Sequence, residues 1–190
     1  VKTNLTNAYD STTTWMDRQL LYLPLADYLV VKDRVITSKP LKKYWLLHFE
    51  QTPLVDGKTP ATGITDYKDA RVVRSNRTDK LETESKTVPY SGSLLIKSLT
   101  PKKSTVSIIG GEGYEYYNRF AGKNFPNGKP FSSIIEPGHW RMEESTNKPT
   151  TATSFVHAFE IADVNKKEMV PTEYLETQDK KMEGALFLSN

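Results

Sequence analysis

The sequence predicts an all-β chain: an antiparallel β-sandwich of two stacked sheets, with roughly ten to twelve strands and long loops. Three observations carry this. Apolar residues recur at every second position in several runs; Phe155, His157, Phe159 and Ile161, for example, alternate with Val156, Ala158 and Glu160. That is the period of a strand with one buried face. The 11 prolines and 10 glycines break the runs at short intervals, and the 10 tyrosines, 7 phenylalanines and 3 tryptophans suit a pleated, half-buried surface better than a helix.

The chain begins with an expected edge strand over Thr3 to Asp10. In the next strand, Thr13 to Leu23, one face carries Trp15, Asp17, Gln19, Leu21 and Leu23 and the other Met16, Arg18, Leu20 and Tyr22. After a turn at Pro24 to Asp27, Tyr28 to Ile36 sets Leu29, Val31, Asp33 and Val35 against Tyr28, Val30, Lys32 and Arg34. Asp33 and Arg34 therefore point apart, and each needs its own partner. Ser38 to Lys43 is expected as a polar link. Tyr44 to Glu50 is expected as an inner strand with both faces covered, Trp45, Leu47 and Phe49 sharing one side. Gln51 to Lys68 reads as a long loop, Ala70 to Arg74 as a short strand, and Ser75 to Pro89 as a solvated hairpin or loop. Gly92 to Leu99 and Val106 to Ile109 are strands, the second stopped by Gly110 and Gly111, which tolerate φ > 0. Two strand-like runs follow, then the Phe155 to Ile161 strand, a loop with short helical character from Asp163 to Tyr174, and a last strand at Gly184 to Leu188.

With 190 residues and 37% hydrophobic content, the chain is long enough for one β-sandwich domain spanning 1–190. The net charge of +3 is spread without a basic block, so nucleic-acid binding is not implied. No apolar run is long enough to span a bilayer as a helix. With no cysteine, disulfides and thiolate metal sites are excluded, as is a cysteine nucleophile. The start, VKTNLTNAYD, has no initiator Met or leader and suggests a piece of something longer.

No catalytic set stands out. There is no GxSxG and no HxH or HExxH spacing, so neither a serine nucleophile elbow nor a zinc site within this chain is expected. His48 and His157 lie mid-strand and are expected as buried imidazoles bonded to backbone or to a carboxylate, whereas His139 lies in a turn and is expected to be exposed. The neighbours Glu143 and Glu144 should point to opposite faces; Glu82 and Glu84 share a face, but in a solvated stretch. Gly110, Gly111 and Gly113 are followed by tyrosines that favour strand, not by the helix a dinucleotide loop needs. The richest cluster is Tyr114, Tyr116, Tyr117, Phe120 and Trp140, with Arg119, Lys123 and Arg141 close by. Flat rings stack on sugar C–H faces and guanidinium groups pair with carboxylate or sulfate, which makes Tyr114, Tyr116, Arg119 and Trp140 the candidate substrate-binding residues. The competing reading is that these rings fill the sandwich core.

Five segments, YLPLADYLVVKDRV, KYWLLHFEQTP, SGSLLIKSLTPKKSTVSIIGGEGYEYY, EPGHWRMEES and SFVHAFEIAD, occur in an order and at spacings that resemble the C-terminal β region of heparinase II/III-like polysaccharide lyases. The resemblance spans nearly the whole chain. It implies a bacterial periplasmic or secreted enzyme in which an N-terminal α/α-toroid precedes β-sandwich sheets and uronate-containing polysaccharides are cleaved by β-elimination. It also implies that the base, the acid and any divalent metal belong mostly to the part before Val1. No catalytic residue and no cofactor is carried over onto this chain. The partners implied are the toroid and an acidic polysaccharide. A stand-alone carbohydrate-binding or structural module is the alternative.

Overall fold

The structure is a computed structural model. It describes residues 1–68, 72–82, 87–125, 138–179 and 181–188, with the side chains of 78–82, 88 and 90 set aside. Fifteen strands are present among the described residues. The first eight are β1 (Lys2–Asn4), β2 (Thr13–Leu23), β3 (Tyr28–Leu41), β4 (Tyr44–Phe49), β5 (Leu54–Val55), β6 (Gly63–Lys68), β7 (Val72–Glu82) and β8 (Thr87–Thr100). The remainder are β9 (Ser104–Gly110), β10 (Tyr117–Asn118), β11 (Lys123–Asn124), β12 (Trp140–Thr146), β13 (Thr150–Ala162), β14 (Thr172–Glu176) and β15 (Glu183–Phe187).

All pairings between these strands are antiparallel. A seven-stranded sheet runs β1-β2-β3-β13-β8-β7-β5 and a four-stranded sheet runs β4-β12-β9-β6; β10-β11 and β14-β15 form small hairpins. The chain is a β-sandwich, and its core lies between the two large sheets. Val31, Val55, Val73, Ile96, Phe155 and Phe159 from the wider sheet meet Trp45, Phe49, Val106, Ile108, Trp140 and Met142 from the narrower one. Burying each such side chain stabilises the fold by about 1.5–3 kcal/mol before chain entropy is counted.

The second face of the wider sheet is also covered. Val30, Leu99, Val156 and Ala158 pack beneath Met169, Tyr174, Ala185 and Phe187, and Phe187 stacks on Tyr28 with ring centroids 4.1 Å apart. Strands β3, β8 and β13 are thus buried on both faces. That explains why Val30 and Val31, or Val156 and Phe155, are apolar in succession.

Alternation places Asp33 on the inner face of β3, directly opposite Arg18 of β2. Arg18 donates from Nε and Nη2 to the two Asp33 oxygens at 2.7 and 2.6 Å, so Asp33 has its own partner, as expected. Thr13–Leu23 is a strand as expected; other boundaries move. The first edge strand is short, and Thr6–Ala8 forms a 3-10 turn. β3 continues through Pro40 to Leu41, with a register shift against β13, where a proline is tolerated. β4 has the expected facing but is an edge strand, and Leu46 and His48 on its outer side are exposed. Gln51 to Lys68, expected as a loop, holds β5 and β6, because strand pairing, not side-chain hydropathy, sets these elements; for Ser75 to Pro89 the hairpin alternative holds, as the paired arms of β7 and β8. Asp163 to Pro171 makes turns without a helix, and β14 begins at Thr172.

Candidate functional site

The outer face of the four-stranded sheet is built from the alternate residues that do not enter the core. Across the strands Leu46, Glu143, Ser107 and Asp66 form one row, and His48, Arg141, Ile109 and Ile64 form the next. Glycines let the chain leave β9 and fold back over this face: Gly111 and Gly113 have φ of +86° and +78°, values that disfavour a side chain. Gly110 is needed for a different reason than expected. A Cβ there would lie 2.5 Å from Trp140 Cδ2, so the position demands close approach, not an unusual φ.

The fold-back carries the β10-β11 hairpin, and its arginine completes a charge network. Arg119 Nε donates to Glu143 Oε2 at 3.1 Å, and Arg141 Nε donates to Glu143 Oε1 at 2.9 Å. Arg141 Nη2 also donates to the Tyr117 carbonyl at 2.8 Å, and Arg119 reaches Asp66 at 3.7 Å. A shallow groove of ≈ 370 Å³ lies beside this network, lined by Leu46, Tyr116, Phe120, Phe125, Arg141 and Glu143. Phe120 is 84% exposed and Phe125 50% exposed, and Lys123 Nζ sits 4.7 Å from the Phe125 ring centre.

The structure divides the candidate residues. Tyr116 and Arg119 line the groove. Tyr114 is half-buried, tilted against Tyr117 at 4.8 Å and lying over Gly63, outside the groove lining. Trp140 is only 8% exposed and belongs to the core, so its indole offers no free face for stacking. For this residue the core-filling reading holds. The expected proline turn before it includes Pro137, which lies outside the described residues. Phe125 and Glu143 emerge as groove residues that the sequence reading passed over. Glu143 had been weighed only against Glu144, and Phe125 sits beyond the tyrosine cluster.

Glu143 and Glu144 do point apart. Glu144 enters the core, where its Oε2 lies 2.6 Å from His157 Nε2 and accepts from Ser98 Oγ at 2.9 Å. His157 is fully buried and stacked on Trp45 at 3.7 Å. These are the residue types of a hydrolytic triad, but the serine and the histidine both engage the carboxylate, and Glu144 and His157 are sealed from solvent. A substrate has no route to them, so the cluster holds the sheets together. His157 is thus the buried, carboxylate-bonded imidazole expected, and His139 is exposed as expected. His48 is instead exposed on β4. Partial desolvation first, and the charge of Arg141 second, push its pKa down, with Glu143 opposing. Of the other carboxylate pair, Glu82 ends β7 and Glu84 lies outside the described residues.

Among the described residues no group of three or more His, Asp or Glu is placed to hold a metal ion, so nothing here is routed through one. No helix among them is long and apolar enough to cross a membrane. No protein-family model matches the chain, and no curated protein matches it.

Proposed function

We propose that the chain is a non-catalytic β-sandwich module that faces an acidic polysaccharide, and that it forms the C-terminal part of a secreted or periplasmic heparinase II/III-like lyase. One observation supports this most: the exposed Phe120 and Phe125 rings stand on a hairpin beside the paired guanidinium groups of Arg119 and Arg141. Exposed apolar groups gathered in one patch rimmed by polar residues mark interaction sites, whereas scattered single ones do not. Rings and planar cations together suit the C–H faces and carboxylates of uronate chains. β-Elimination needs a base at the proton α to the carboxylate and an acid at the leaving oxygen. The one carboxylate lining the groove, Glu143, is already held by two arginines, and His48, whose pKa is pushed down, stands in the neighbouring row of the sheet outside the groove lining. In this reading those reacting groups belong to the preceding toroid.

The test is affinity electrophoresis of the 190-residue chain through gels containing polyuronate or a neutral glycan, with ultraviolet absorbance followed for unsaturated product. Retardation on polyuronate that is lost in Phe120→Ala/Phe125→Ala, with no absorbance change, is expected. Absence of retardation on every glycan, or retardation unchanged in the double variant, defeats the binding reading; turnover defeats the non-catalytic one.

A further inference from the structure

The two large sheets differ in width, and the mismatch leaves a slot. Trp45 of β4 stacks on His157 of β13, so the narrower sheet ends roughly above β13 and β3 while the wider one continues through β2 and β1. Beyond the free edge of β4 the inner face of β2 lies uncovered, with Leu20 39% and Tyr22 49% exposed. Beside it opens a cleft of ≈ 360 Å³, with Tyr44, Trp45 and Leu46 along the edge, Met16, Val35 and the Arg18–Asp33 ion pair in the floor, and Tyr9 and Asp10 at its far wall; Leu20 and Tyr22 lie outside its lining.

Among the described residues the edge itself supplies unpaired strand valences. The carbonyl of Lys43 accepts from Thr146 across β12 at 3.2 Å. Alternation along the strand therefore turns the N–H and C=O groups of Tyr44, Leu46 and His48 away from β12, toward the cleft side. Natural edge strands are usually guarded by a charge, a proline or a bulge. β4, YWLLHF, contains no lysine, acid or proline. The indole Nε1 of Trp45, in the same wall, is buried without an acceptor. At the rim Lys42 leans over the Tyr44 ring at 5.5 Å, with no carboxylate partner among the described residues.

We propose that this slot takes one extended segment of a partner polypeptide, which adds to β4 as a fifth strand. Its inward side chains would be apolar over Met16 and Val35 and polar where they cross the Arg18–Asp33 pair, and a carboxylate at the rim would meet Lys42. Strand addition of this kind draws affinity from main-chain bonds and specificity from alternate side chains. A small molecule would leave the row of edge amides unanswered. A second copy fits poorly, because the β4 edge lies within a cleft also lined by Tyr9 and Asp10 and cannot protrude to meet its own image. The inference does not rest on the polysaccharide reading, since its bonds are to the main chain at the free margin of β4, although the Leu46 side chain also lines the groove beside the arginine network.

The probe is a blocked peptide of alternating valine and threonine with one central glutamate, added to the 190-residue chain up to millimolar concentration. Amide hydrogen exchange at Leu46 and His48 is expected to slow about tenfold and to saturate. Leu46→Pro removes an edge N–H that has no partner among the described residues, and is expected to abolish the protection while leaving Tm unchanged. Lys42→Glu, at the exposed rim of the cleft, serves if the proline variant does not fold, and is expected to weaken protection by about tenfold, because it sets a like charge against the peptide's glutamate. Absence of protection, or protection that survives the variant used, overturns the proposal. So does protection without peptide accompanied by dimerisation in sedimentation, which would assign the slot to a second copy.

Discussion

Glu144 of the narrower sheet and His157 of the wider one meet at 2.6 Å inside the sandwich, both with wholly buried side chains. The contact is the polar bond between the two layers at the centre of an otherwise apolar interface, and Ser98 and the Trp45 ring complete its surroundings. Glu144→Leu leaves an imidazole and a hydroxyl without their acceptor and is expected to cost about 3–5 kcal/mol, and His157→Phe leaves the carboxylate buried without its imidazole. The double substitution Glu144→Leu/His157→Phe keeps the stacking on Trp45 and removes the polar groups together, and is expected to recover most of that loss. Urea unfolding of the wild type, both single variants and the double variant measures the coupling. Simple additivity of the single effects would show that the pair contributes nothing as a pair.

Glu143 sets the charge of the groove. It neutralises one of two guanidinium groups, and Asp66 partly answers the other. Glu143→Gln retains hydrogen-bond acceptance while removing the negative charge. Retention on polyuronate is therefore expected to rise several-fold and to fall more steeply with added salt, while retention on neutral glycans stays unchanged. An equal rise on both kinds of gel would mean that ring exposure, not charge, had changed.

The residues that alternate most cleanly were the most legible in the sequence. Thr13–Leu23 was read with its boundaries, and the facing of Trp45, Leu47 and Phe49 and of Phe155, His157 and Phe159 was right, because one buried face enforces period two. For β7 and the first half of β8 the sequence left hairpin and loop open, because their residues are polar and pair along an arm where hydropathy carries no signal. The position of β4 at an edge was not legible, since YWLLHF is as apolar as a central strand and only the topology shows that no fifth strand pairs with it among the described residues. In the candidate site Arg119 and Tyr116 were found by composition. Trp140 was misread because a ring beside a glycine turn looks exposed until Gly110 is seen pressed against it.

The β14-β15 hairpin is held to the wider sheet by a carboxylate whose ionisation should be visible in its packing. Glu183 accepts from Ser154 Oγ at 2.6 Å and Tyr174 OH at 2.7 Å, and its Oε1 lies 3.0 Å from Lys32 Nζ. Burial alone would raise its pKa, but the bonds from Ser154, Tyr174 and Lys32 together outweigh burial and hold it below the ordinary 4.5. A depressed folded pKa means that this stabilisation is complete above the unfolded value and is lost as pH falls through the folded one. For Tyr174 the sign is reversed. Burial first, and then Glu183, raise its pKa above the ordinary 10.0, so its contribution is complete below that value and is lost as pH rises through the raised one. Hairpin docking is therefore expected to be flat between 4.5 and 10.0 and to weaken on both sides. Methyl NMR shifts of Ala185 and Met169, which pack against the sheet beneath the hairpin, report it directly. Glu183→Gln is expected to remove the acid-side change and Tyr174→Phe the alkaline-side change; a titration unaltered by Glu183→Gln would move the tether to another group.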